Sequence, residues 1–231
     1  GASRGIGLAI ADLLGSEGHA LTITARKPDT LEQTAEALRA KGYEVEAVPA
    51  NMADEEAIIA VVRAHQARFG RLDVLVNNAG VGVGAAAGEH VTKRVDMQLD
   101  VNLRAIILFY RECVEMLRAA AAEHQQALVV NMSSIAGTAG QAWLSVYAAT
   151  KFAVRGYTQS MNKELAGEGI KSVAFCPGFV DTDMTDFVKG QVPAEEMIRP
   201  TDIAEAVRFL LRLSPAVVVP EIIFARPGEG L

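Results

Sequence analysis

Tyr147 and Lys151 stand at i and i+4 in the stretch Trp143-Leu-Ser-Val-Tyr147-Ala-Ala-Thr-Lys151. On a helix that spacing puts both side chains on one face, one above the other. A phenol ordinarily titrates near pH 10. A cation beside it favours the phenolate and is expected to lower that value. A tyrosine tuned in this way passes a proton to or from a substrate oxygen near neutral pH. Upstream, Ser134 lies in Val-Val-Asn-Met-Ser-Ser134-Ile-Ala-Gly, which reads as a buried strand running into a small-residue loop. Its hydroxyl is well placed to hydrogen-bond the same oxygen. A Tyr and a Lys at this spacing also occur on ordinary amphipathic helices, with the Lys solvated and the Tyr half buried, so the rest of the chain must decide.

The elements that would position these groups begin at the first residue. Gly1-Ala-Ser3-Arg4-Gly5-Ile6-Gly7 opens a helix whose apolar stripe runs through Ile6, Ile10, Leu13 and Leu14, with Gly18 as its stop. A glycine-rich turn at a helix N-terminus suits a phosphate, because backbone N–H groups and the helix dipole point at it. The spacing Gly-x-x-x-Gly-x-Gly differs from the common Gly-x-Gly-x-x-Gly fingerprint. Such a turn should follow a buried strand, and none precedes Gly1. The expectation is a sequence truncated at its start, before the central strand of the sheet.

Residues 20–25 read as a strand that ends in Arg26-Lys27. Where NAD-binding chains carry an acid for the ribose hydroxyls, about 20 residues past the glycines, this one carries two cations. Arg4 adds a third. A 2′-phosphate suits such a cluster, which favours NADP(H) over NAD(H); the alternative is that Arg26 and Lys27 are solvated loop charges.

Helices are expected over 30–41, with Thr30 and Gln33 as a possible capping box, and over 54–69. A long helical region spans about 91–122 and holds Asn102, an amide that needs a partner inside an apolar helix. Strands are expected at 43–50, 73–77, 170–176 and 216–225, and a last helix at 200–213. Residues 81–88, rich in Gly and Ala, read as a mobile loop. Residues 183–199 carry Met184, Phe187, Val192 and Met197 among polar groups and read as a substrate lid. Strands alternating with helices throughout predict a single-domain α/β fold, a doubly wound parallel sheet with helices on both faces.

With 231 residues, half of them hydrophobic, the chain can bury one sizeable core. A formal net charge of −6 with no basic run argues against nucleic-acid binding. No apolar run reaches the roughly 18 residues of a membrane span. Cys113 and Cys176 read as core thiols in a reducing cytosol, so a cytoplasmic location is expected.

Taken together, Gly1-Ala-Ser-Arg-Gly-Ile-Gly7, Asn77-Asn78-Ala79-Gly80, Asn102, Ser134, Tyr147-Ala-Ala-Thr-Lys151 and Pro177-Gly178-Phe179-Val180-Asp-Thr182 resemble the short-chain dehydrogenase/reductase family over essentially the whole chain. The resemblance implies that Tyr147 is the proton donor in reduction, that Lys151 holds the nicotinamide ribose and lowers the Tyr147 pKa, that Ser134 polarises the carbonyl, and that Asn102 anchors a water linking Lys151 to solvent. It implies that the glycine turn cradles the pyrophosphate, that Asn51 and Met52 flank the adenine, that Asn78, Ala79 and Gly80 line the adenosine ribose, and that Val180 and Thr182 meet the carboxamide. It further implies a dimer or tetramer, for which the 109–117 segment has the apolar content of either an interface or a core. Gln141, Trp143, Phe179, Met184 and Phe187 are expected to shape the substrate pocket, and no metal is expected. Two departures stand out. Asn51 replaces the usual Asp, and the tail Val219-Pro-Glu-Ile-Ile-Phe-Ala-Arg-Pro lacks the Asp-Gly-Gly of many members that reduce 3-oxoacyl thioesters. The expectation is an NADP(H)-dependent carbonyl reductase or alcohol dehydrogenase, with 3-oxoacyl-(acyl-carrier-protein) reduction as the alternative. A non-catalytic NADP(H)-binding redox sensor is the alternative of another class.

Overall fold

A computed structural model describes residues 1–228. The six strands are β1 (Leu21–Ile23), β2 (Val45–Ala47), β3 (Val74–Asn77), β4 (Ala127–Met132), β5 (Ile170–Pro177) and β6 (Glu221–Phe224). The helices are α1 (Gly5–Ser16), α2 (Pro28–Arg39), α3 (Glu55–Phe69), α4 (Thr92–Leu99), α5 (Ala105–His124), α6 (Ser145–Leu165) and α7 (Pro200–Leu211). Every strand pair among the described residues is parallel: β1 with β2, and β3-β4-β5-β6 in that order. The two central strands β4 and β5 are buried along their whole length, as the near-continuous apolar runs of a covered parallel sheet require. Ile10, Leu31 and Ile203 bring α1, α2 and α7 onto one face, and Ile58, Leu117 and Val154 bring α3, α5 and α6 onto the other.

Between β1 and β3 lies a cavity of about 850 Å³, lined by residues 21–24 on one side, 74–77 on the other, and Ile10, Leu14, Ile106 and Phe109 above and below. Residues 1–2 close one end of it. The Gly1 and Ala2 nitrogens donate to the Thr24 carbonyl at 3.0 Å each, and the Asn78 amide donates to the Gly1 carbonyl at 2.8 Å.

Three local expectations are corrected. The helix expected from Thr30 begins at Pro28, with Lys27 at its N-cap, so Thr30 and Gln33 form no capping box; a proline at the first turn supplies the helix start instead. Asp54 does cap α3, accepting from the Glu56 N–H at 3.0 Å. The long 91–122 helix is not regular: a π-helical turn, Asp100–Arg104, joins α4 to α5 with Asn102 at its centre. Residues 81–85 are no free loop but a strap with fixed partners, because alternate backbone N–H groups meet acceptors on neighbouring segments.

Candidate active site

The parallel topology delivers the strand ends β3, β4 and β5 to one edge of the sheet, where α6 begins. Ser134 follows β4 and caps a short turn, Ile135–Gly137; its Oγ accepts from the Ala136 N–H at 3.2 Å and donates to the Pro177 carbonyl at 3.4 Å. Tyr147 stands in the first turn of α6, and its phenol lies close enough to the Ser134 hydroxyl for that group to favour the phenolate. One turn on, Lys151 is 2% exposed. Its Nζ donates to the Met132 carbonyl at 2.7 Å and sits 5.5 Å from the centre of the Tyr147 ring. Ser133 Oγ donates to the Lys151 carbonyl at 2.8 Å, which fixes α6 against the end of β4. Serine, tyrosine and lysine are therefore brought together as the sequence predicts.

The electrostatics differ from expectation. Burial pulls Lys151 down to about 8. Burial pushes the Tyr147 phenol up, with the Ser134 hydrogen bond opposing it. Lys151 does not lower the phenol here, because its ammonium is aimed at the Met132 carbonyl and the ring rather than at the hydroxyl. Asn102 is tied to the strap. Fully buried, it receives the Val81 N–H on Oδ1 at 2.8 Å, and its Nδ2 donates to the Val81 carbonyl at 2.8 Å and to Thr150 Oγ1 at 3.1 Å. The side chain is spent on the strap rather than turned to solvent.

Beside this trio the glycine turn forms a cradle. A methyl group on Gly7 would lie 2.1 Å from the Gly1 carbonyl oxygen and 2.6 Å from the Asn78 amide, so only glycine fits. Gly5 has φ +56 and faces the Thr182 methyl. No side chain caps the N-terminus of α1, whose amides are left for an anion. Arg26 and Lys27 are exposed at the end of β1, on the side where a 2′-phosphate cluster is expected. Arg4 is exposed too but pairs with Asp183 at 2.5 Å, tying the glycine turn to the 183–199 segment. The residues fit a dinucleotide phosphate.

The other expected positions divide. Ser3 accepts through its carbonyl from Thr34 Oγ1 at 3.4 Å, and Ile6 packs against the core. Asn51 is exposed, whereas the Met52 side chain is buried in the core, so only its backbone is left to flank an adenine. Ala79 and Gly80 sit half-buried past β3; a Gly80 methyl would lie 3.5 Å from Lys151 Nζ. Pro177 ends β5, and Gly178 donates to the Phe224 carbonyl at 2.8 Å. Val180 is buried and bridges to Ile198, closing the base of the 183–199 segment, and Thr182 caps its first turn. The Arg226 guanidinium lies over the Phe179 ring. Gln141, Trp143, Met184 and Phe187 are exposed, Phe187 by 71%. Phe109, Tyr110, Cys113, Met116 and Leu117 are all buried, which assigns the apolar 109–117 stretch to the core.

A model of the short chain dehydrogenase family matches residues 1–192. The chain belongs to that family. As a short-chain dehydrogenase it is an oxidoreductase, and its relatives match it over most of their length. It is 34% identical over 219 residues to the 3-oxoacyl-(acyl-carrier-protein) reductase of Staphylococcus aureus, covering 91% of this chain and 87% of the relative. Among solved structures, the alcohol dehydrogenase of Thermococcus sibiricus complexed with 5-hydroxy-NADP superposes with a TM-score of 0.87 at 30% identity, over 97% of this chain and 93% of that one. The 3-ketoacyl-(acyl-carrier-protein) reductase of Brucella melitensis complexed with NADH gives 0.87 at 27% identity, over 99% and 95%.

Behind the site this short-chain dehydrogenase has a buried polar network that sequence reasoning missed. Asn131 Nδ2 donates to Tyr110 Oη at 2.9 Å and to Thr158 Oγ1 at 3.0 Å, while its Oδ1 accepts from Asn77 at 2.8 Å. Tyr110 in turn donates to Ser172 Oγ at 2.7 Å. Burial pushes the Tyr110 phenol up to about 12, so this tyrosine serves structure rather than proton transfer. The available signal was an Asn inside each of two apolar strands, which only mutual pairing reconciles with burial.

Proposed function

We propose that this short-chain dehydrogenase transfers a hydride between NADP(H) and a carbonyl or secondary-alcohol substrate, with Tyr147 as acid and base. The observation that carries the reading is the hydroxyl pair of Ser134 and Tyr147 beside the buried ammonium of Lys151, next to a glycine cradle shaped for phosphate. The nicotinamide, when bound, supplies the hydride. In the reducing direction Ser134 Oγ donates to the carbonyl oxygen and orients it. As negative charge grows on that oxygen, Tyr147 gives it the phenolic proton. The Ser134 hydroxyl would stabilise the phenolate that remains, while the Lys151 ammonium, held by the Met132 carbonyl, lies over the ring. Asn102 and Val81 would pin the wall against which Lys151 lies.

Arg26 and Lys27 would take the 2′-phosphate, and Arg4 would reach it once released from Asp183. Charge-assisted contacts of this kind are worth enough that Arg26→Asp is expected to shift the kcat/KM ratio of NADPH to NADH by at least about tenfold toward NADH. An unchanged ratio would mean that the cations do not read the phosphate.

Trp143, Gln141 and Phe179 would form the substrate wall, with Met184 and Phe187 on the 183–199 lid. Reduction of a 3-oxoacyl thioester is the second reading, favoured by the name of the Staphylococcus aureus relative. Comparing NADPH consumption with a 3-oxoacyl thioester and with small free ketones separates the two: turnover confined to the ketones removes the acyl reading. A redox sensor would need none of Ser134, Tyr147 and Lys151, and a chain that binds NADPH but turns over neither substrate would favour it. Exposed Leu99, Ile107 and Phe152 on α4, α5 and α6 are apolar positions open to a homodimer or tetramer face, in a cytoplasmic setting.

A further inference from the structure

The strap over residues 81–85 alternates. Its odd members are tied through backbone N–H groups: Val81 to Asn102 Oδ1 at 2.8 Å, Val83 to Gln98 Oε1 at 3.0 Å, and Ala85 to the Trp143 carbonyl at 2.9 Å. Gln98 is 2% exposed, and its Nε2 donates back to the Arg94 carbonyl at 3.3 Å, so its acceptor has a fixed direction. The even members, Gly82 and Gly84, are both glycines. A methyl on Gly82 would stand 3.4 Å from the Tyr147 ring, at the near edge of ordinary contact; one on Gly84 would stand 2.3 Å from the Trp143 ring, which no structure tolerates without movement.

Trp143 itself is held in an unusual state. Its φ is +69, the left-handed region that a bulky side chain avoids, and it is nevertheless 61% exposed. Burial of the ring therefore does not explain the strain. The fixed points are its carbonyl, bonded to Ala85, and its ring, laid against Gly84. Strain of this kind persists where the surroundings over-determine a residue, and such residues gather at working sites.

We infer that Gly82 and Gly84 are positioning residues of the oxidoreductase site, Gly82 seating the Tyr147 ring and Gly84 the Trp143 ring, so that one rung of the strap governs the proton donor and the next governs substrate fit. The second half rests on the reading of Trp143 as the substrate wall; the contact between Gly84 and Trp143 stands independently of it. The exposed face of that ring would take a flat apolar group flanking the carbonyl, as in an aryl ketone, while a small ketone would make no use of it. Asn102 and Gln98 act through the strap, not on the reacting atoms.

Two substitutions separate the rungs. A methyl at Gly82 only reaches ordinary contact with the Tyr147 ring, whereas the branched side chain of Gly82→Val crowds it and is expected to lower kcat by about tenfold or more with KM nearly unchanged, since small misplacements of a reacting group are expensive. Gly84→Ala displaces Trp143 and is expected to raise KM for acetophenone by at least about tenfold, leaving butanone unaffected. Because Trp143 is the sole tryptophan, the same variant must shift the intrinsic emission. Unaltered emission and KM in Gly84→Ala, or equal effects on both ketones, would overturn the inference. Should Gly84→Ala fail to fold, the double variant with Trp143→Ala decides: recovery of folding shows that the clash is with the ring, and a second failure refutes it. If the wild type turns over no ketone, the proposed function fails instead, and emission of Gly84→Ala still reports whether the strap holds Trp143.

Discussion

Lys151→Met is expected to abolish turnover while making the protein more stable. The ammonium is buried, and its hydrogen bond goes to the Met132 carbonyl. Burial lowers it from 10.5 to about 8, a shift equivalent to about 3 kcal/mol against the charged form. The unfolded chain binds the proton more tightly, so below about pH 8 the wild type carries the whole penalty, and the penalty fades as pH rises toward 10.5. Methionine removes the charge and keeps most of the volume. Its advantage in urea or thermal unfolding should therefore be largest below about pH 8 and vanish near pH 10.5. A destabilised variant, or a gain independent of pH, would mean that Lys151 is held by interactions stronger than that hydrogen bond.

The architecture was legible because its signals are local and repeated. Apolar runs mark a strand without help from context when both faces of a sheet are covered, and the strands around Val129, Val130 and Val173 read correctly for that reason. The trio of Ser134, Tyr147 and Lys151 was legible through its spacing. What the sequence concealed lies in directions. Lys151 and Tyr147 share a helix face, yet whether the ammonium meets the hydroxyl or the Met132 carbonyl depends on how closely β4 passes beneath α6. The 81–85 segment looked mobile because Gly and Ala carry no signal of their own partners; those partners, Gln98 and Asn102, come from a helical region in which the π turn resets the facing of the side chains. Met52 and the 109–117 stretch ended in the core because apolar residues near a site and apolar residues beneath it look alike in sequence.

The most direct measurement is NADPH consumption by the wild type and by Tyr147→Phe with the same carbonyl substrate, each checked for folding and for NADPH binding. Loss of the proton donor should lower kcat by about 10²–10⁴-fold, with cofactor affinity kept. A Tyr147→Phe variant that folds, binds NADPH and reduces the carbonyl at the wild-type rate would contradict the account.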